Sequence, residues 1–150
     1  MKKYSADELF KIAYDHLQKK KFGKSAGLFE KLIKDYPENL SILRNLAHCY
    51  ANLRDFKKTE FCLKKMINIK PDEPFVYQFL ASILKDQDKL EEAITVVNEG
   101  LEKNLINEKW KIQKNLFFPK IPFNREEIKK YRQIIEDELE KILDVNFQKY

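Results

Sequence analysis

Glycine and proline are scarce in this chain, at three and five residues out of 150. These residues punctuate turns, so few tight turns are available. With abundant Lys, Glu, Leu, Ile and Ala, that shortage favours an all-helical chain. Long apolar runs are missing too: none approaches the 18 or so residues that a membrane span needs. The N-terminal stretch MKKYSADELFKIAYDHLQKKK has no apolar core and no small-residue cleavage site, so it does not read as a signal peptide. Only two cysteines occur, Cys49 and Cys62. They read as free, buried thiols of a cytoplasmic protein, with a disulfide left open by the sequence. Arginine is sparse, and the net charge of +5 comes from lysines that alternate with Glu and Asp. Such alternation is the pattern of solvated helix faces and speaks against a nucleic-acid groove, where Arg clusters with aromatics. There is no glycine-rich phosphate loop, and His16 and His48 have no metal-site partners at ligand spacing. The acidic pairs Glu91-Glu92 and Glu126-Glu127 sit where helices open, where the macrodipole favours them. No catalytic residue, cofactor or metal is expected, and the chain does not read as an enzyme.

What is present is a repeat. Pro37 and Pro71 are 34 residues apart, and the chain falls into blocks 6–39, 40–73 and 74–107. Equivalent positions hold Leu9, Leu43 and Tyr77, then Ile12, Leu46 and Leu80. Beside these stand Ala13, Ala47 and Ala81, and three residues further on His16, Tyr50 and Leu84. In the second half of each block Ser25, Thr59 and Ala93 recur, followed four residues later by Phe29, Leu63 and Val97. Apolar residues at i, i+3, i+4 and i+7 predict two amphipathic helices per block, near 5–20, 24–35, 39–52, 56–69, 73–86 and 89–103. Ser5 and Glu8 form a capping-box signal; Gly23, Asn52 to Asp55 and Asp86 to Asp88 mark the turns.

Period, small positions and prolines together resemble the tetratricopeptide repeat over residues 6–107. His16 replaces the usual aromatic and is expected to be a core residue; Leu105 replaces the third proline. The resemblance implies a right-handed superhelix of three helix-turn-helix repeats with a concave groove that binds a peptide or a partner helix. The groove-facing positions that the family implies hold Phe10 and Tyr14 in the first repeat and Arg44, Asn45 and His48 in the second. In the third they hold Phe75, Gln78 and Phe79. Of the two-carboxylate clamp found in chaperone-tail adaptors, only Asn45 has a counterpart. The same holds for the asparagine ladder of eukaryotic O-linked transferases.

Residues 108–150 leave the repeat. Trp110, Phe117, Phe118, Ile121 and Phe123 surround two prolines, and this stretch is expected to lie extended against the last helices. Asn124 to Glu127 is a second cap signal. It opens an amphipathic helix with a stripe of Ile128, Tyr131, Ile135, Leu139 and Ile142, which reads either as a cap on the solenoid or as a docking helix for a partner or a following domain. The run from Pro119 to Phe123, then Glu126-Glu127-Ile128 and Tyr131-Arg132, resembles the junction between repeats and catalytic domain in bacterial SPINDLY-like O-linked N-acetylglucosamine transferases. That resemblance implies a glycosyltransferase domain as a neighbour in cis or trans, with this chain as its substrate-recruiting arm.

Overall fold

A computed structural model describes residues 4–106, 109–118 and 124–147. Its eight described helices are α1 (Ala6–Gln18), α2 (Phe22–Asp35), α3 (Leu40–Asn52), α4 (Phe56–Ile69), α5 (Pro74–Asp86), α6 (Leu90–Glu102), α7 (Lys109–Asn115) and α8 (Arg125–Phe147). No strand occurs among the described residues. Among them, too, no helix is long and apolar enough to cross a membrane.

The helix starts follow from local chemistry. The Ser5 hydroxyl accepts the Glu8 N–H at 3.2 Å, and the Glu8 carboxylate accepts the Ser5 N–H at 2.9 Å. This reciprocal pair satisfies two of the donors that a helix start leaves open. Asn39 and Asp55 cap α3 and α4 through the N–H groups of Ile42 and Lys58, and Pro74 fills the first turn of α5, where its missing N–H costs nothing.

The small repeat positions let the helices of each pair approach closely. Ala13, Ala47 and Ala81 have no exposed surface, and neither do Ser25, Thr59, Phe29, Leu63 and Val97. Ser25 is polar yet satisfied: its hydroxyl donates to the Ala13 carbonyl at 2.8 Å, tying α2 to α1. Each buried Leu or Phe here contributes about 1.5–3 kcal/mol. His16 is half-buried on the core side of α1.

The turns differ from the sequence expectation at one glycine. Gly23 lies inside α2, and the left-handed turn residue is Lys20, at φ 54°. Arg54 and Asp88 repeat that conformation, at φ 59° and 64°, one repeat period apart. The turn residue is set by the hydrogen bond that closes the turn, from Lys21 N–H to the His16 carbonyl, with counterparts at Asp55 and Lys89. Glycine would suit these positions, but they are held by residues that accept the modest cost of φ > 0.

The exit from α6 breaks the period for a physical reason. Tyr36 and Lys70, which precede Pro37 and Pro71, have left the helical region, at φ −127° and −140°, and Lys70 is extended. Proline's ring sterically favours extended backbone in the preceding residue. Asn104 occupies the same register but precedes Leu105, and it takes φ 55°. Leu105 then donates its N–H to the Gly100 carbonyl at 2.9 Å, a bond proline could not make. Gly100 also leaves room for Ile106, whose Cδ1 would lie 3.0 Å from an added Cβ.

Two expectations about the tail are corrected. Residues 109–115 are helical rather than extended: they contain no Gly or Pro, and both prolines lie downstream. The α8 stripe is split between two faces. Tyr131 and Ile134 turn inward to line a cleft with Phe117 and Phe118, whereas Ile128, Ile135 and Leu139 are exposed. The prolines and Ile121 and Phe123 lie outside the described residues, as do residues 107 and 108.

Candidate functional site: a cleft across the first helices of the repeats

One cleft of about 520 Å³ is bounded by α1, α3 and the start of α5. From α1 come Tyr14, Leu17 and Gln18; from α3 come Arg44, Asn45, His48 and Asn52; α5 supplies Phe75. The turn residue Lys20 and Phe22, at the start of α2, close one end. The spacing explains the assembly. Residues 44, 45, 48 and 52 lie on one side of α3, because three- and four-residue steps return to the same helix face. Their opposite neighbours Leu43, Leu46, Ala47 and Tyr50 are buried in the core.

Five of the eight expected groove residues share this cleft: Tyr14, Arg44, Asn45, His48 and Phe75. The other three are placed elsewhere. Phe10 sets its ring edge-on against Phe29, with centroids 5.3 Å apart, and lines a separate hollow with Asp7, Tyr36 and Asn39. Phe79 packs on the core and backs Phe75 at 5.4 Å. Gln78 is half-buried beside them. Lys20, Phe22, Gln18 and Asn52 are additions that a count of first-helix positions does not reach. Lys20 and Phe22 enter through the left-handed turn, whose direction no apolar periodicity encodes.

The cleft walls are aromatic and its polar groups are donors or amides. Tyr14 and Phe75 are both nearly half exposed. His48 lies tilted against Phe22 at 6.2 Å. Arg44 is already oriented: its guanidinium donates to Glu73 at 3.1 Å and lies 5.8 Å from the centre of the Phe75 ring. Glu73 is held below the usual carboxylate range, chiefly by the Lys70 ammonium, with Arg44 adding to it. No carboxylate is among the described residues that line the cleft; Lys20 brings a positive charge to it, and that of Arg44 is paired with Glu73. The Asn45 side chain makes no hydrogen bond among the described residues, and its amide offers both a donor and an acceptor.

Towards the third repeat a separate hollow of about 270 Å³ is lined by Ser82 and Lys85 of α5, both exposed, and by Trp110, Gln113, Leu116 and Phe117. The Lys85 ammonium lies 5.6 Å from the centre of the Phe117 ring. Lys114 of α7 donates to Asn98 of α6 at 2.6 Å. The two thiols stand apart from all this. Burial pushes Cys62 up to about 11 and raises Cys49 as well, which makes both poor nucleophiles.

Paired helices, invariantly small contact positions and a 34-residue period define a tetratricopeptide-repeat solenoid, a class of protein–protein interaction module. Residues 16–83 match the family model described as tetratricopeptide repeat. In shape it is similar to the first TPR of Spaghetti (RPAP3) bound to the HSP90 peptide SRMEEVD. There the identity is 17%, 88% of this chain and 91% of that one are covered, and the TM-score is 0.61. It is also similar to MamA AMB-1, at 15% identity over 95% of this chain and 74% of that one, with a TM-score of 0.73. A Thermobaculum terrenum O-GlcNAc transferase mutant matches at 15% identity over 75% of this chain, with a TM-score of 0.59; the match spans 22% of that longer protein. At these identities the likeness is one of fold. None of the curated proteins matches the chain.

Proposed function

We propose that this chain is a non-catalytic adaptor that holds an extended peptide or a partner helix in the cleft of Tyr14, Arg44, Asn45, His48 and Phe75. The observation that carries this reading is the cleft's composition. Two exposed aromatic walls flank an amide with no partner among the described residues, beside a guanidinium held by Glu73. Exposed aromatics supply contact area at low entropic cost, and a free Asn amide suits the N–H and C=O of a peptide backbone. Arg44 is partly engaged by Glu73, so Asn45 and His48 are the better probes. Peptides selected from a random display library on the wild-type chain serve as ligands for calorimetry. Asn45→Ala with His48→Ala is expected to weaken them at least tenfold with the melting temperature unchanged. Phe10→Ala is expected to lower the melting temperature and leave affinity unchanged. Equal losses of affinity and stability in the Asn45/His48 variant would refute the site.

A second reading makes the chain the substrate-recruiting arm of a SPINDLY-like glycosyltransferase. It rests on the tail motif, whose Pro119 to Phe123 part lies outside the described residues, and on the fold shared with the Thermobaculum terrenum enzyme. Sequencing the DNA beyond codon 150 tests it. A continuous frame into a glycosyltransferase domain supports the arm, and a stop codon followed by an unrelated gene refutes an arm in cis.

A further inference from the structure

The inward face of α8 is partly engaged. Tyr131 stacks on Phe118 with centroids 4.8 Å apart. Glu138, only 4% exposed, accepts from Asn115 at 3.0 Å and from Lys141 at 2.7 Å. The outward face is not. Ile128, Ile135 and Leu139 are 52%, 39% and 53% exposed, and steps of seven and four residues put them in one line along the helix. One edge of that line is divided by charge. Arg125, Lys129 and Arg132 occupy its N-terminal half, Glu136 and Glu140 its C-terminal half, and all five are exposed. Within the helix this order is the weaker one. Arg132 precedes Glu136, its partner at 3.2 Å, whereas an acidic residue placed before a basic one gives the better pair.

The geometry points to pairing of α8 with α8 of a second copy of this chain, antiparallel, about a two-fold axis crossing the stripe between Arg132 and Ile135. Ile128 then lies against Leu139 of the second copy. Arg125, Lys129 and Arg132 meet Glu136 and Glu140 of the second copy, and the symmetry makes each contact twice, as an isologous interface requires. A parallel arrangement would turn this edge against the opposite edge of the second helix, so its basic and acidic halves would no longer meet; flanking charges choose orientation in coiled coils in this way. A 23-residue helix is about 35 Å long, and a single helix-on-helix contact stays below the roughly 1,000 Å² of a stable interface. The dimer is therefore weak and concentration-dependent. Nothing in it involves the cleft across α1, α3 and α5, so each copy keeps its own binding surface.

Sedimentation equilibrium of the whole chain from about 1 µM to about 1 mM tests the pairing, across the range expected of weak interfaces. The mass is expected to rise from monomer to dimer over that range. Ile135→Lys should abolish the rise. Lys129→Glu with Arg132→Glu, and separately Glu136→Lys with Glu140→Lys, should each weaken association at least tenfold. All three variants should retain wild-type circular dichroism, because every altered side chain is solvent-facing. Mixing the two charge variants one to one should restore association, since each then meets its opposite. A wild-type chain that stays monomeric throughout would overturn the proposal, leaving the stripe to a different partner. So would charge variants that associate no better together than apart, or an Ile135→Lys chain that dimerises like the wild type.

Discussion

The three repeats and the tail use the same helix chemistry but are held in place differently. In the repeats each helix is fixed by small residues of zero exposure on the facing helix, and the next repeat supplies the same contacts 34 residues later. Among the described residues, α8 rests on a tilted ring pair and on one buried carboxylate that accepts from Asn115 of α7. A periodic core thus constrains its members many times over, whereas the tail depends on a few single contacts. Stability should concentrate in the first region and adjustability in the second.

The largest test of this contrast is a pair of truncations. Leu63→Ala, at a position with no exposure, is expected to cost about 2–5 kcal/mol. Leu139→Ala, 53% exposed, is expected to cost under about 0.5 kcal/mol when the chain is dilute. Urea melts of both variants measure the ratio. Equal costs would erase the distinction between body and tail.

Next in size is a pH effect that belongs to the body. Burial alone would raise the Glu60 carboxyl, but hydrogen bonds from Lys64, Lys89 and Gln87 outweigh it and hold the group at about 2. Lys89 and Gln87 reach it from the third repeat at 2.8 and 2.9 Å, so Glu60 bolts the second repeat to the third. A carboxylate with a depressed folded pKa stabilises the fold above its ordinary value of 4.5, and that stability is lost as pH falls from 4.5 towards 2. Full loss amounts to roughly 3 kcal/mol. Glu60→Gln should flatten the fall in melting temperature between pH 5 and pH 2. An unchanged slope would remove Glu60 from the acid response.

The smallest test acts on the boundary itself. Leu105→Pro restores the repeat pattern but removes the N–H bonded to Gly100 and disfavours the left-handed Asn104. It is expected to cost about 1 kcal/mol and to loosen the tail while sparing the body. Trp110 fluorescence should shift to the red, whereas the Leu63 region should keep its hydrogen-exchange protection. A loss of protection throughout would show that tail and body unfold as one.

The six repeat helices were legible in the sequence to within about two residues at most ends, because two independent signals, apolar period and repeat period, mark the same residues. The cleft was legible in part. Tyr14, Arg44, Asn45, His48 and Phe75 follow from position in the first helix of each repeat. Phe10 and Phe79 occupy equivalent positions, yet their size lets them reach Phe29 and the core, which position alone does not show. Lys20 and Phe22 were hidden because a left-handed turn steers them in, and Gly23 drew attention to the wrong residue. The tail was least legible: it has no second copy to compare, so neither the helix at 109–115 nor the rotation of α8 could be read from a period.

On the proposed peptide-binding reading, the Lys85 ammonium beside the Phe117 ring marks where the cleft gives way to the chain's own aromatic segment. Three first helices spaced roughly 8–10 Å apart span about 20 Å from Tyr14 to Phe75. An extended chain advances about 3.3 Å per residue, so roughly six residues fit before a ligand would run into the chain's own aromatic segment.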